Sequence, residues 1–174
     1  MRGALATAIT TIATFTLAAA AVADSVSDEQ GDNPASTIDI NTSSVDATCT
    51  PTFAVTVLPQ NALRDVEPTS GALPGVQIDR DGNGRTDRLV GQPKGKRPGV
   101  YAISRSKIGK RLASARRTVD PGQGYYVTWQ VRYKAVVKSK TIRWRGVSRS
   151  AVSGALDRAP DKGFRRTSFR AICR

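Results

Sequence analysis

The chain has 174 residues, with 27 Lys and Arg against 14 Asp and Glu, two Cys and no His, for a formal net charge of +13 at pH 7. The length suits one ordinary domain, and the lack of histidine excludes Ser-His and Cys-His nucleophile systems and histidine-based metal hydrolases. Charge is split along the chain: residues 24–93 hold eleven acidic and four basic residues, whereas residues 94–174 hold three acidic and twenty-two basic. Such a split either neutralises itself within the fold or offers the second half to an anionic partner.

Residues 1–23 have the pattern of a secretory signal peptide. Arg2 is the positive start, Ala4 to Val22 is an apolar run, and Ala21-Val22-Ala23 is a small-x-small cleavage site followed by acidic Asp24. A membrane anchor is the other reading of this run, but five Thr and many Ala make it weakly apolar. The mature chain has no later stretch able to span a membrane, so the expected location is secreted, extracellular. Export also bears on the cysteines. In an oxidising compartment Cys49 and Cys173 are expected to form a disulfide, tying the start of the domain to its end and contributing about 4–5 kcal/mol by the chain-entropy argument. Two cysteines without histidine make a poor zinc site.

Residues 24–48 contain six acids and no base. They read as an acidic disordered linker, leaving 49–174 as a single disulfide-closed globular domain. TFAVTVL (52–58) alternates with the period of a strand. Residues 59–74 read as loop, short strands are expected at 76–78 and 88–90, residues 91–99 form a basic turn region, and 100–104 is a further strand. Ile108, Leu112 and Ala115, spaced four and three apart, predict a short helix over 106–117. Residues 124–147 predict a hairpin turning at Ser139-Lys140. In that register Val137 faces Ile142, Ala135 faces Trp144, and the large apolar residues share one face. A second short helix is expected at 150–158, ended by Pro160, and a closing strand at 167–173. The expected fold class is α+β, mostly antiparallel sheet with two short helices and one disulfide; an all-β sandwich is the alternative.

Between the strands at 76–78 and 88–90 lies DRDGNGRTD. A hard cation such as calcium takes six or more oxygens, and a short loop supplies them when alternate residues point inward. Asp79, Asp81 and Asn83 fall at positions 1, 3 and 5 of such a loop, Gly84 at the sharp-turn position 6, Arg85 at the carbonyl position 7 and Asp87 at position 9. IDRDGNGRTDRLVG resembles the calcium loop of FG-GAP/VCBS repeats and is similar to dockerin and thrombospondin type 3 loops. The resemblance covers about fourteen residues. It implies Asp79, Asp81, Asn83 and Asp87 as side-chain ligands, Arg85 as a carbonyl ligand, and one structural calcium. Position 12 is Val90, so the bidentate Glu of an EF-hand is missing, and affinity on the order of 10⁻⁴ to 10⁻³ M is expected. A metal-free turn is the competing reading, since Asp-Gly and Asn-Gly are common turn pairs and Arg80, Arg85 and Arg88 match the acids.

The outward face of the expected hairpin carries Arg132, Lys134, Arg143 and Arg145, extended by Lys138 and Lys140 and by Arg149, Arg165, Arg166 and Arg170. Lys134 is expected opposite Arg145, a like-charge pair that an intervening anion would relieve. Arginine suits bidentate contact with phosphate, sulfate or carboxylate, and Tyr126 could stack on a sugar or base. The face therefore suits an anionic extracellular polymer or cell surface; a plain solvated face is the alternative. No sequence-specific nucleic-acid motif is present. No catalytic constellation is found either. Glu29 and Glu67 are the only glutamates and form no convincing acid pair. Ser104-Arg105-Ser106-Lys107 has Ser-x-x-Lys spacing without its companion motifs. The expectation is a non-enzymatic binding module, with a metal-free structural or protein-interaction module as the alternative.

Overall fold

The computed structural model describes residues 23–28, 38–59, 74–105, 107–121, 125–149 and 156–169. Eleven antiparallel strands run through them: β1 (Ala23–Ser27), β2 (Ile38–Asp46), β3 (Thr52–Pro59), β4 (Gly75–Asp79), β5 (Arg88–Gly91), β6 (Gly99–Ser104), β7 (Lys107–Pro121), β8 (Tyr125–Val131), β9 (Thr141–Arg149), β10 (Leu156–Ala159) and β11 (Arg165–Ser168). One helical turn, α1 (Tyr133–Val136), lies between β8 and β9. The order across the sheet is β1-β2-β3-β8-β7-β6-β5-β4-β9-β10, with β11 also pairing β9.

The expected α+β class is overturned: α1 is the one helical turn among the described residues, and of the two segments expected as helices the described part is strand. β7 occupies the first of them. Its first half pairs β6 and its second half pairs β8, so one long strand joins what would otherwise be two sheets. A sandwich of two separate sheets is therefore not formed either. Ile108 and Leu112, the expected inner face of a helix, are 38% and 39% exposed. The working period is two: Ala113, Ala115 and Val119 pack against the core, while Ser114, Arg116 and Thr118 are exposed. Of the second expected helix, residues 150–155 lie outside the described residues, and 156–158 belong to β10.

The hairpin of 124–147 does not form. β8 pairs β3 and β7, whereas β9 pairs β4, β10 and β11. The α1 turn redirects the chain between them, with Ala135 N–H donating to Arg132 O at 3.0 Å and Val137 N–H to Tyr133 O at 2.9 Å. Arg145 thus faces Gln77 in register, not Lys134. The two tryptophans still meet the same core, from different strands: Trp129 and Trp144 are buried with Phe53, Ile40, Ile78 and Val136. The closing strand is shorter than expected, Arg165–Ser168; Phe169 is buried after it, and residues 170–174 lie outside the described residues.

The stretch 24–48, expected as a disordered linker, instead supplies β1 and β2. Its Ile40 and Val45 are fully buried; five residues apart, they share the inward face because the ladder to β3 shifts register between Ile40 and Thr42. β2 also brings the sheet close to closure. Ile40 N–H donates to Asp157 Oδ2 at 2.7 Å, and Ser43 Oγ to Ala159 O at 3.1 Å. A Cβ on Gly146 would stand 2.7 Å from both Cβ and Oγ of Ser43, so β2 crosses β9 at a distance only glycine permits. Side chain to backbone bonds thus join β2 to β10 where no ladder does, giving a nearly closed barrel. Residues 1–22, the bulk of the expected signal peptide, lie outside the described residues. Cys49 has no free thiol; Cys173 lies outside the described residues, and no bond between two cysteines is seen among the described ones.

Candidate acidic loop and basic groove

The β4–β5 connection is the acidic loop. Asp87 N–H donates to Ile78 O at 2.8 Å and closes it. Asp79 is buried; its Oδ1 accepts Gly82 N–H at 2.7 Å and its Oδ2 accepts Gly84 N–H at 2.9 Å. Gly82 and Gly84 lie at φ +79° and +83°, where a side chain would be strained, which is why glycines alternate here. Asp81 accepts from the backbone and amide nitrogens of Asn83 at 3.1 and 2.9 Å. Asp87 Oδ2 accepts Arg80 N–H at 2.8 Å. Carboxylate oxygens of Asp79, Asp81 and Asp87 all lie within 4.8 Å of one another. The fold therefore brings together three of the five residues expected around a cation. Asn83 Oδ1 accepts Arg85 N–H at 2.8 Å instead, and the Arg85 side chain points to a groove. The guanidinium of Arg143 lies over the loop, 3.8 Å from where a Gly82 Cβ would be. A second acid group, Asp28, Asp157 and Asp161, has the same spacing. It escaped the sequence reading because its members come from the two ends of the chain.

The expected basic face is dispersed by the loss of the hairpin. Arg132 and Lys134 sit at α1, Lys138 and Lys140 in the exposed turn before β9, and Arg143 and Arg145 on β9. Arg143 stands in register with Arg166 on β11 and with Asp79 on β4.

Arg145 belongs to a different feature, a groove of about 880 Å3 on the outer face of the sheet. Six cations border it: Arg85, Lys94, Arg105, Arg145, Arg149 and Arg158. Asp87 is its one carboxylate. Arg145 is fixed on two sides. Its Nε donates to Gln77 Oε1 at 2.8 Å, and its guanidinium lies 4.5 Å from the centroid of the Phe164 ring. Burial, helped by the nearby charge of Arg158, holds its pKa below the ordinary arginine value. Arg158 is paired in register with Val147, two residues along β9 from Arg145, and its buried Nε has no hydrogen-bond partner. Neither arginine forms an ion pair among the described residues. Two guanidinium groups held close without a counter-charge are a costly arrangement that an anion would relieve. Arg105, Arg158, Lys94 and Gln77 were not identified as a site in the sequence; only the strand order assembles them. No known protein family, curated protein or solved structure matches the chain.

Proposed function

We propose that the protein is an exported, non-enzymatic binding module that holds anionic groups of an extracellular polymer or cell surface in the groove around Arg145 and Arg158. The observation carrying this reading is Arg145, held by Gln77 and Phe164 with the charge of Arg158 nearby and no ion pair to either among the described residues, inside a concavity bordered by six cations and one carboxylate. The Arg145 guanidinium, held by Gln77 and Phe164, loses little freedom on meeting phosphate, sulfate or carboxylate, which favours binding. The acidic loop is given a supporting part: Asp79, Asp81 and Asp87, whose carboxylate oxygens lie close together, would share one calcium ion, with Arg85 offering its carbonyl as the loop resemblance implies. Calcium there would stiffen the groove's wall, since Asn83 to Asp87 line that wall, and no chemistry is assigned to it. The Cys49–Cys173 bond belongs to the same proposal as a closure of the domain.

The test is binding of heparin, as a generic polyanion, across a range of salt. The reading expects log affinity to fall linearly with log salt, as released counterions demand. The alternative, a metal-free protein-interaction module, rests on exposed Ile108, Leu112 and Tyr126. It expects partner binding that survives salt and depends on those apolar side chains, with heparin held only by diffuse charge.

A further inference from the structure

The outer face of a sheet whose other face packs a core is ordinarily polar. Here it carries a second apolar cluster, separate from the core: Leu89, Tyr101 and Val147 are buried, with Ile103 and Leu156 packed on them. Leu89 and Val147 form the groove's floor, and Ile103, Ile108 and Leu156 its apolar rim. Apolar and cationic residues alternate across the β9–β10 pair, Leu156 beside Arg149 and Arg158 beside Val147. A hydrated polyanion needs the cations but has no use for this floor, whereas a ligand with both an anionic head and an apolar body uses both.

We infer that the groove takes a monomeric anionic amphiphile, its phosphate-like head between Arg145 and Arg158 and its apolar body along Ile103, Ile108 and Leu156. The inference rests on the anion-binding reading above and narrows the ligand from any polyanion to an anion joined to an apolar chain. Burying even two methylenes on that rim is worth about tenfold in affinity.

The experiment compares octyl phosphate below its micelle concentration with inorganic phosphate, octyl glucoside and heparin, followed by NMR of the Arg145 side-chain N–H and of the Ile103 and Leu156 methyls. Octyl phosphate is expected to bind at least about tenfold more tightly than phosphate and to shift all three groups. Ile108→Ser, at an exposed site, should remove that preference and leave heparin binding unchanged. R145Q/R158Q should remove octyl phosphate binding and lower heparin affinity at least about tenfold. Equal binding of octyl phosphate and phosphate, with heparin still bound, overturns the amphiphile inference and leaves the anion-binding reading intact. Equal binding of octyl glucoside also overturns it, the charge then being idle. Failure of every anion, heparin included, overturns both.

Discussion

Gln77 Oε1 accepts a hydrogen bond from Arg145 Nε at 2.8 Å across the β4–β9 pair. That contact, with the Phe164 ring against the guanidinium, turns a flexible side chain into a fixed one and sets the direction in which the guanidinium meets the groove. Thr86 Oγ1 reaches the same oxygen at 3.4 Å, so the acidic loop and the groove share this residue. Gln77→Leu keeps the size of the side chain and removes the acceptor. Heparin affinity is expected to fall by roughly 5- to 30-fold, the equivalent of about 1–2 kcal/mol, measured by calorimetry at constant salt.

Calcium makes a separate prediction. With a dissociation constant near 1 mM, about 10 mM calcium stabilises the fold by about 1.4 kcal/mol and raises Tm by roughly 3–8 °C. Asp81 is exposed and bonds only within its own loop, so Asp81→Ala should cancel that rise at little cost in chelator. Asp79→Ala should differ: it strips the acceptor from two backbone N–H groups and is expected to cost about 2–3 kcal/mol even without calcium. Differential scanning calorimetry with calcium, magnesium and chelator checks both.

Asp24 links the first strand to the last. Its Oδ2 accepts from Thr167 Oγ1 at 2.6 Å, its Oδ1 pairs with Arg165 Nε at 2.9 Å, and Thr167 Oγ1 in turn accepts from Trp144 Nε1 at 2.7 Å. Arg165 is largely exposed, so the ion pair adds little. The chain of hydroxyl and indole bonds carries most of the effect. Asp24→Ala is expected to cost about 1–2 kcal/mol in urea unfolding.

Tyr101 predicts a pH effect. Its hydroxyl donates to Arg97 O, and burial, partly offset by Arg111, raises its pKa above the ordinary 10.0. The folded state holds this proton more tightly than the unfolded state. The stability it contributes is therefore complete below pH 10 and is lost as pH rises through the folded value. Tyr101→Phe should cost about 1 kcal/mol at neutral pH and flatten this alkaline loss, as read by denaturant midpoints between pH 8 and 11.

Alternation made β3 legible, because Phe53, Val55 and Val57 mark a buried face, whereas β4, β5 and β6 were legible as short apolar runs between turn residues. β2 was hidden because a register shift between Ile40 and Thr42 breaks its alternation, Ser43 shares the inward row with Val45, and its neighbours are turn formers. β7 was misread because exposed Ile108 and Leu112 mimic helical spacing, while the true inward row is small: Ala113, Ala115 and Val119. The hairpin failed for a local reason: its register put Val136 on the outward face, whereas the α1 turn at Tyr133–Val136 buries Val136 in the core and sends the strands apart. The acidic loop was legible because its members are neighbours in sequence. The groove was not, because Arg105, Arg145 and Arg158 meet only once β6, β9 and β10 take their places in the sheet.

The central claim is that anions are held by the groove and not by diffuse positive charge. The direct measurement is heparin affinity against salt for R145Q/R158Q beside K138Q/K140Q, which removes the same charge from the exposed turn. The account predicts that the groove variant loses about tenfold or more and that its salt slope falls by about two counterions, while the turn variant stays within about twofold of the natural chain. Equal losses in the two variants would contradict it.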